Sequence, residues 1–490
     1  MEPNSLPQPP QTPFVTPPQV TPAAVPAEIP NPTPSPIPPP PSIKKSFPFA
    51  KIISIVVGLI LLIALFLLLF RFVFPRFGIF QKETTITWWG LWEDSSIVQP
   101  IIDAYQAANP KVKITYVAQS KEDYRERLTN SLARGEGPDI FRFHNTWVPM
   151  LKSELSALPP ETMSAEEYTQ TFFPVAVSDL SSGSNILGIP LEYDGLALYI
   201  NEEIFATYGK TTPKLWDDLR EISRDLTIVE DGQIKQSGIA LGNSINVDHW
   251  QEILGLMFFQ NNVDLKNPSS TLAIQTLNYY NSFANPNSND YTWDETLPPS
   301  TSAFASGKLA MFFGPSWRAF EIMDNNPDLR FKVVPVPQLP KSDPSEPDIT
   351  YATYWVEGVW ERSAGKKEAW KFLKHLSSKE TLTQLYENAR KTRRFGELYP
   401  RSDMVDLLSS DPLVSGFISL APSAKSWYLA SRTFDGKTGI NTKLGAYLED
   451  AITSSLLAGD SEAALATASN GIQQVLAEYG LIQLAPIEAE

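Results

Sequence analysis

The chain has no cysteine among its 490 residues. That excludes disulfides, thiolate metal sites and a cysteine nucleophile. It also removes a lipid-modified cysteine as a membrane tether. Only three histidines occur, His144, His249 and His375. They are too few and too scattered for a multi-histidine metal centre, so neither metal nor cofactor is expected. The signatures Gly-x-x-x-x-Gly-Lys-Ser/Thr, His-Glu-x-x-His and Gly-x-Ser-x-Gly are absent, and no catalytic residue is singled out. Positive charge is scarce as well: the formal net charge is −15. Residues 1–82 carry Lys44, Lys45, Lys51, Arg71, Arg76 and Lys82 against Glu2 and Glu28, a net of +4, which leaves −19 for residues 83–490. Such a surface repels nucleic-acid phosphates and keeps a domain soluble, so no nucleic-acid partner is expected.

What the chain does contain falls into distinct regions. Residues 1–48 hold 18 of the 43 prolines. Proline lacks the amide donor and fixes φ, so this stretch is expected to be a disordered, partly extended tail. Ile52 to Phe70 is a run of 19 uncharged residues. At 1.5 Å per residue it reaches about 28 Å, close to the hydrocarbon thickness of a bilayer. The region before it is too long for a signal peptide, and the following RFVFPRFG lacks a small-x-small cleavage site. A transmembrane helix over 50–74 and a linker over 75–83 are therefore expected. Lys44, Lys45 and Lys51 on one side balance Arg71, Arg76 and Lys82 on the other, so charge does not set the orientation.

From residue 84 onward strand-like and helix-like stretches alternate. Thr85–Trp89, Lys111–Val117 and Pro138–Phe143 read as strands. Ile97, Val98, Ile101, Ile102 and Tyr105 share one helical face, with Ser95 or Ser96 as cap, and Tyr124–Arg134 is a helix ending at Gly135. Leu309–Phe313 and Phe331–Val336 are later strands. Lys366–Leu376 is a helix burying Ala369, Trp370, Leu373 and Leu376. This rhythm predicts an α/β fold with a largely parallel sheet covered by helices.

All 12 tryptophans lie after residue 87, many at predicted strand ends: Trp89, Trp92, Trp147, Trp250, Trp317, Trp355 and Trp427. Ligands of open α/β sheets bind at the carboxyl ends of strands. Flat aromatic faces stack on the apolar faces of sugar rings while a few polar groups orient the hydroxyls. The competing reading for any one tryptophan is core packing, the expectation for Trp88, Trp216 and Trp370.

The segments ITWWGLWED, ANPKVKITYV, YRERLTNSLARGEGPDIFRFHNTWVPML, ILGIPLEYDGLALYINEEIF, AFASGKLAMFFGPSW and GKKEAWKFLKHLSS occur in this order. Together they resemble the family 1 extracellular solute-binding proteins, the maltose-binding-like group of ABC importers, over about residues 84–485. RRFGELYPR and SWYLASRTFDG resemble a subgroup anchored by an N-terminal span. The resemblance implies a type II-like periplasmic-binding-protein fold of two α/β lobes joined by three crossings. Lobe 1 would comprise about 84–191 and 356–405, and lobe 2 about 192–355 and 406–490. The ligand would lie between them and hinge bending would close the lobes.

Carried over by position, the resemblance implies Asp194 and, beside it, Tyr193 as ligand residues near the first crossing. It implies Trp317 and Trp427 as cleft aromatics and Trp89, Trp92 and Glu93 as the first loop. His144, Asn145 and Trp147 follow the Asp139 strand, Asp139 itself being structural. Asn246 and Trp250 come from lobe 2, and Glu357 and Arg394 lie near the last crossing. The function implied is reversible capture of a carbohydrate for the membrane subunits of an ABC importer. The binding domain would be extracytoplasmic and the tail cytoplasmic. Two alternatives remain open on sequence: a sensor or adhesion ectodomain, and a membrane-tethered carbohydrate-active enzyme working through two carboxylates.

Overall fold

The computed structural model describes residues 49–68, 71 and 83–483. The proline-rich tail and the expected linker lie outside these residues, save Glu83 at the linker's end. The described chain forms two units, one within residues 1–80 and one within 81–490. In the first, helix α1 spans Phe49–Leu68, and every side chain described, residues 53–68, is exposed. Among the described residues no helix is long and apolar enough to cross a membrane.

In the second unit the local reading of the sequence holds in most places. Strand β1 (Thr84–Leu91) buries alternate residues, as a half-covered strand must. Helix α2 (Ser95–Ala108) packs Ile97, Val98, Ile101, Ile102 and Tyr105 inward. Each such side chain contributes about 1.5–3 kcal/mol when fully buried. Its cap is Asp94, whose Oδ1 accepts from Ser96 N at 2.8 Å, rather than Ser95 or Ser96. A carboxylate at this position also favours the positive end of the helix dipole. Strand β2 (Val112–Gln119), helix α3 (Tyr124–Arg134) and strand β3 (Ile140–His144) follow. Gly135 ends α3 with φ of 78°, a left-handed cap that suits glycine. Asp139 accepts from Thr87 N and from Ser363 Oγ, a structural tie between β1 and the later chain.

Two five-stranded sheets organise the unit. The first contains β1 to β3, a short β4 (Ile189–Pro190) and, arriving much later, β10 (Trp355–Val359), in the order β2-β1-β3-β10-β4. The second contains β5 (Ala197–Asn201), β6 (Ile228–Glu230), β7 (Gln233–Ile239), β8 (Leu309–Gly314) and β9 (Phe331–Val334), in the order β9-β5-β8-β7-β6. The expected largely parallel sheet is corrected here. Strands β1, β2 and β3 are parallel, as are β7 and β8, but β10 runs antiparallel to β3 and β4, and β5 runs antiparallel to β8 and β9. The reason is topological. Strand β10 returns from the second sheet, so it enters the first sheet from the opposite end.

The passages between the sheets lie side by side. Tyr193 N donates to Leu398 O at 2.8 Å, Leu196 N to Tyr351 O at 2.9 Å, and Lys425 N to Thr350 O at 3.0 Å. Gly195 is required there: a Cβ would stand 2.4 Å from Tyr351 O. Around this seam, helix α4 (Lys366–Leu376) covers the first sheet, with Ala369, Trp370, Leu373 and Leu376 buried as expected, and helix α5 (Lys379–Ala389) packs on α2. Two long C-terminal helices, Ile440–Ala458 and Ser461–Glu478, pack on each other and on helix Thr271–Ser282.

Candidate ligand-binding site

Two groups of aromatic side chains reach the surface beside the seam. The first is built on the end of β1. Trp92 has φ of 67° and is 42% exposed. The left-handed region costs a side chain with a Cβ about 1–2 kcal/mol, and strain of this kind concentrates at functional positions. Its ring meets Trp355 at 5.5 Å, edge to face, and Phe434 at 5.9 Å. Phe434 is itself left-handed, with φ of 53°, and carries the Lys121 ammonium over its ring. His144 and Trp147 contact Trp355, at 5.2 and 5.3 Å.

The second group follows β8. Trp317 is 38% exposed, with the Arg318 guanidinium 4.3 Å above its ring and His249 at 5.5 Å. Arg318 Nε donates to His249 Nε2 at 2.9 Å. That assigns the imidazole proton to Nδ1, which faces Ser431 Oγ at 2.8 Å, and the Ser431 hydroxyl in turn donates to Glu252 Oε1 at 2.9 Å. The serine proton is thus directed at a carboxylate, and the imidazole face toward serine already carries a proton. A serine, a histidine and an acid meet here without the relay a nucleophile needs. Ser431 and Phe434 belong to one segment, so three residues, about 10 Å at full extension, link the two aromatic groups.

The remaining expected site residues divide by burial. Trp89, Trp355 and Trp427 are half-buried. Arg394 is exposed. Several others are buried or paired inside the protein in this structure. Trp147 and Trp250 are buried in the core, because the chain after β3 turns inward as a short helix and Trp250 begins a helix buried on nearly all sides. Tyr193 is buried against Phe173. Asn246 spends its amide on the carbonyls of Asp294 and Leu297 and its oxygen on Trp293 Nε1. Asn145 donates to Asp179 and Ser426. Glu93 pairs with Arg393 at 3.0 Å and Glu357 with Arg142 at 2.8 Å. Asp194 accepts from Gly195 N, Ser316 N and Ser316 Oγ, tying the first passage to the loop after β8. Burial raises its carboxyl to about 7. Phe434, beside Trp92, and Arg432, 3.7 Å from Asp248, were missed by sequence reasoning. Only the aromatic residue type hinted at Phe434, whose left-handed φ leaves no local mark.

His144 is held by Thr146 Oγ1 and Thr353 Oγ1, at 2.8 and 3.0 Å. Burial lowers its pKa from 6.5 to about 3. A folded-state value below the unfolded one means that the unfolded chain takes up the proton first. Stability is therefore lost as pH falls from about 6.5 toward about 3. Replacement His144→Gln keeps a hydrogen-bonding side chain and removes the titration. Urea midpoints measured against pH are expected to show a shallower decline in this window than the parent. An unchanged slope would remove His144 from the account.

Comparison with known proteins places this geometry. The maltotriose-binding protein of Pyrococcus abyssi is 21% identical over 332 residues, which cover 66% of this chain and 67% of that protein. The crystal structure of a cyclo/maltodextrin-binding protein complexed with maltotetraose matches with a TM-score of 0.64 at 17% identity, covering 81% of this chain and 98% of the other. An ABC transporter solute-binding protein of Thermotoga lettingae, bound with α-D-tagatose, matches with a TM-score of 0.60 at 18% identity over 80% and 100%. The shared fold is the two-lobe, mixed α/β periplasmic-binding-protein architecture. The sequence profile of the bacterial extracellular solute-binding proteins matches residues 89–382, more than half of the chain. The chain belongs to the bacterial extracellular solute-binding protein family, and it is a binding protein rather than an enzyme.

Proposed function

We propose that the protein captures a carbohydrate reversibly between its two lobes and presents it to the membrane subunits of an ABC importer. The observation that carries this reading is the pair of exposed tryptophans, Trp92 and Trp317, one at the end of a strand in each sheet and linked through the 431–434 segment. Exposed indole faces cost solvation free energy unless a partner covers them, and the apolar face of a pyranose is such a partner. The maltotriose in the name of one relative and the maltotetraose and tagatose held by two structural neighbours support a saccharide. The backbone and side-chain groups around the tryptophans are polar enough to orient hydroxyls: Arg432, Asp248 and Ser431 all lie in the second group.

The apolar run that begins in helix α1 is read as a single-span membrane anchor, with the binding lobes on the extracytoplasmic side and the proline-rich tail in the cytoplasm. The 19 uncharged residues from Ile52 to Phe70 would reach about 28 Å as a helix. A tether of this kind keeps the receptor near its importer and takes the place of a lipid-modified cysteine.

The test is a thermal-shift screen of the protein against mono- and oligosaccharides, with maltotriose and maltotetraose included. A ligand at 100 times its Kd stabilises by about 2.7 kcal/mol, a readily visible rise in Tm. A panel without any saccharide-dependent rise, alongside a rise with peptides or polyamines, would sink the carbohydrate assignment and leave the family intact.

A further inference from the structure

Beside the passages between the lobes lies a buried cluster of charge. It surrounds a cavity of about 30 Å³, room for water, lined among others by Glu93, Arg142, Glu192, Arg393 and Glu397. Two guanidinium groups face four carboxyls. Arg142 donates to Glu357 at 2.8 Å and stands 3.8 Å from Glu192. Arg393 bridges Glu93 at 3.0 Å and Glu397 at 2.8 Å. Two carboxyls are thus left without a cation of their own. Asp194 adds to the excess from the first passage. The phenols nearby, Tyr116, Tyr386 and Tyr399, are neutral; Tyr116 donates to Glu93 O.

An unmatched buried carboxylate is expensive, and the cheaper state is the protonated one. Glu93 is 6% exposed and its Oε2 has no hydrogen-bond donor. The Glu397 carboxyl is within hydrogen-bonding reach of it. A proton on Glu93 supplies the missing donor. Burial together with the neighbouring Glu397 raises Glu93 to about 7, and burial raises Glu192 as well.

The cluster is wired to the hinge. Glu192 sits in the first passage, and its Oε1 accepts from Trp355 N, where the chain leaves the second passage. Arg393 and Glu397 lie in the stretch leading to Leu398, which is bonded to Tyr193. Arg393 also covers the ring of Phe320, on the helix Arg318–Asn325 after β8, and Phe320 packs on Phe395 at 4.4 Å. One guanidinium therefore joins the carboxyls beside the first sheet to a helix beside the second.

We propose that this cluster is a proton-binding site that sets the relation of the two lobes. Protonated, it is close to neutral and keeps Arg393 seated between Glu93, Glu397 and Phe320, as in this structure. Deprotonated, it holds surplus negative charge that draws water into the cavity and loosens the Phe320–Phe395 contact. The arrangement described here then dominates below neutral pH and loses population above it. This inference does not depend on what the ligand is.

The absence of cysteine makes the test clean. Spin labels on Asp103→Cys, on α2, and Gln275→Cys, on helix Thr271–Ser282, report the interlobe distance in the full chain without ligand. The distance distribution is expected to differ between about pH 5.5 and about pH 8.5. With Glu93→Gln added, a neutral stand-in for the protonated group, it is expected to keep its low-pH form at both values. An identical distribution of the labelled parent at the two pH values overturns the proposal, with or without a folded Glu93→Gln chain. A folded Glu93→Gln chain that still shifts fully overturns it too.

Discussion

Replacing Arg142 by leucine is expected to lower the unfolding free energy by about 3–5 kcal/mol. Arg142 is 5% exposed and does three things at once. Its Nε donates to Glu357, its Nη1 donates to Leu91 O at 3.2 Å, and its charge faces Glu192. Glu357 is fully buried and accepts in addition from Trp88 Nε1 at 3.2 Å. Burial pushes the Glu357 carboxyl up, and the guanidinium is what keeps it from rising further. Without Arg142 two buried carboxylates lose their cation. Their folded-state pKa then rises further above the unfolded value. A group raised in this way contributes stability that is present at low pH and lost as pH increases, so the deficit of the variant should widen from acid toward neutral pH. Urea denaturation at several pH values measures this. Removing both partners, Arg142→Leu with Glu357→Leu, should recover much of the loss, because an apolar pair has no charge to desolvate. A single variant as stable as the parent would show that the ion pair carries none of this.

Replacing Trp92 by glycine is expected to separate binding from stability. Saccharide affinity should fall by about thirtyfold, ~2 kcal/mol, as for a central aromatic anchor. Stability should stay within about 1 kcal/mol of the parent. The second half follows from two opposing quantities. Contacts with Trp355 and Phe434 are lost, about 0.5–1.5 kcal/mol for each aromatic pair. Against that, glycine adopts the positive φ of this position without the strain that tryptophan bears there. Calorimetric titration with the saccharide found by thermal shift, set beside a urea curve, reads both quantities. Retained affinity would remove Trp92 from the site, and a collapse of stability would make it a packing residue.

The outcomes for individual residues show what could be read in advance. The face of α2 and the inward side chains of α4 follow from a period of 3.6, and that period is visible in neighbouring residues. Strand β1 was equally legible. The far side of its sheet was not: β10 pairs with β3 across more than two hundred residues, and the direction of that pairing depends on where the chain has been in between. The same limit applies to the tryptophans. Trp92 and Trp147 both follow strands of the first sheet, and both looked like rim residues. Trp92 enters a left-handed turn and stays exposed, whereas Trp147 folds back and is wholly covered.

By itself the sequence determined the class of the protein. The missing cysteine and the acidic charge excluded disulfides and nucleic-acid partners, and six ordered motifs carried the resemblance that implied a binding protein of two α/β lobes. Only the tertiary structure decided which of the candidate residues meet. It set Glu93 beside Arg393 and Glu357 beside Arg142, and it brought Phe434 to Trp92. The physical reason is one of range. Periodicity and capping are written in residues a few positions apart, whereas burial, ion pairing and exposure depend on which distant segments the fold brings to the same place.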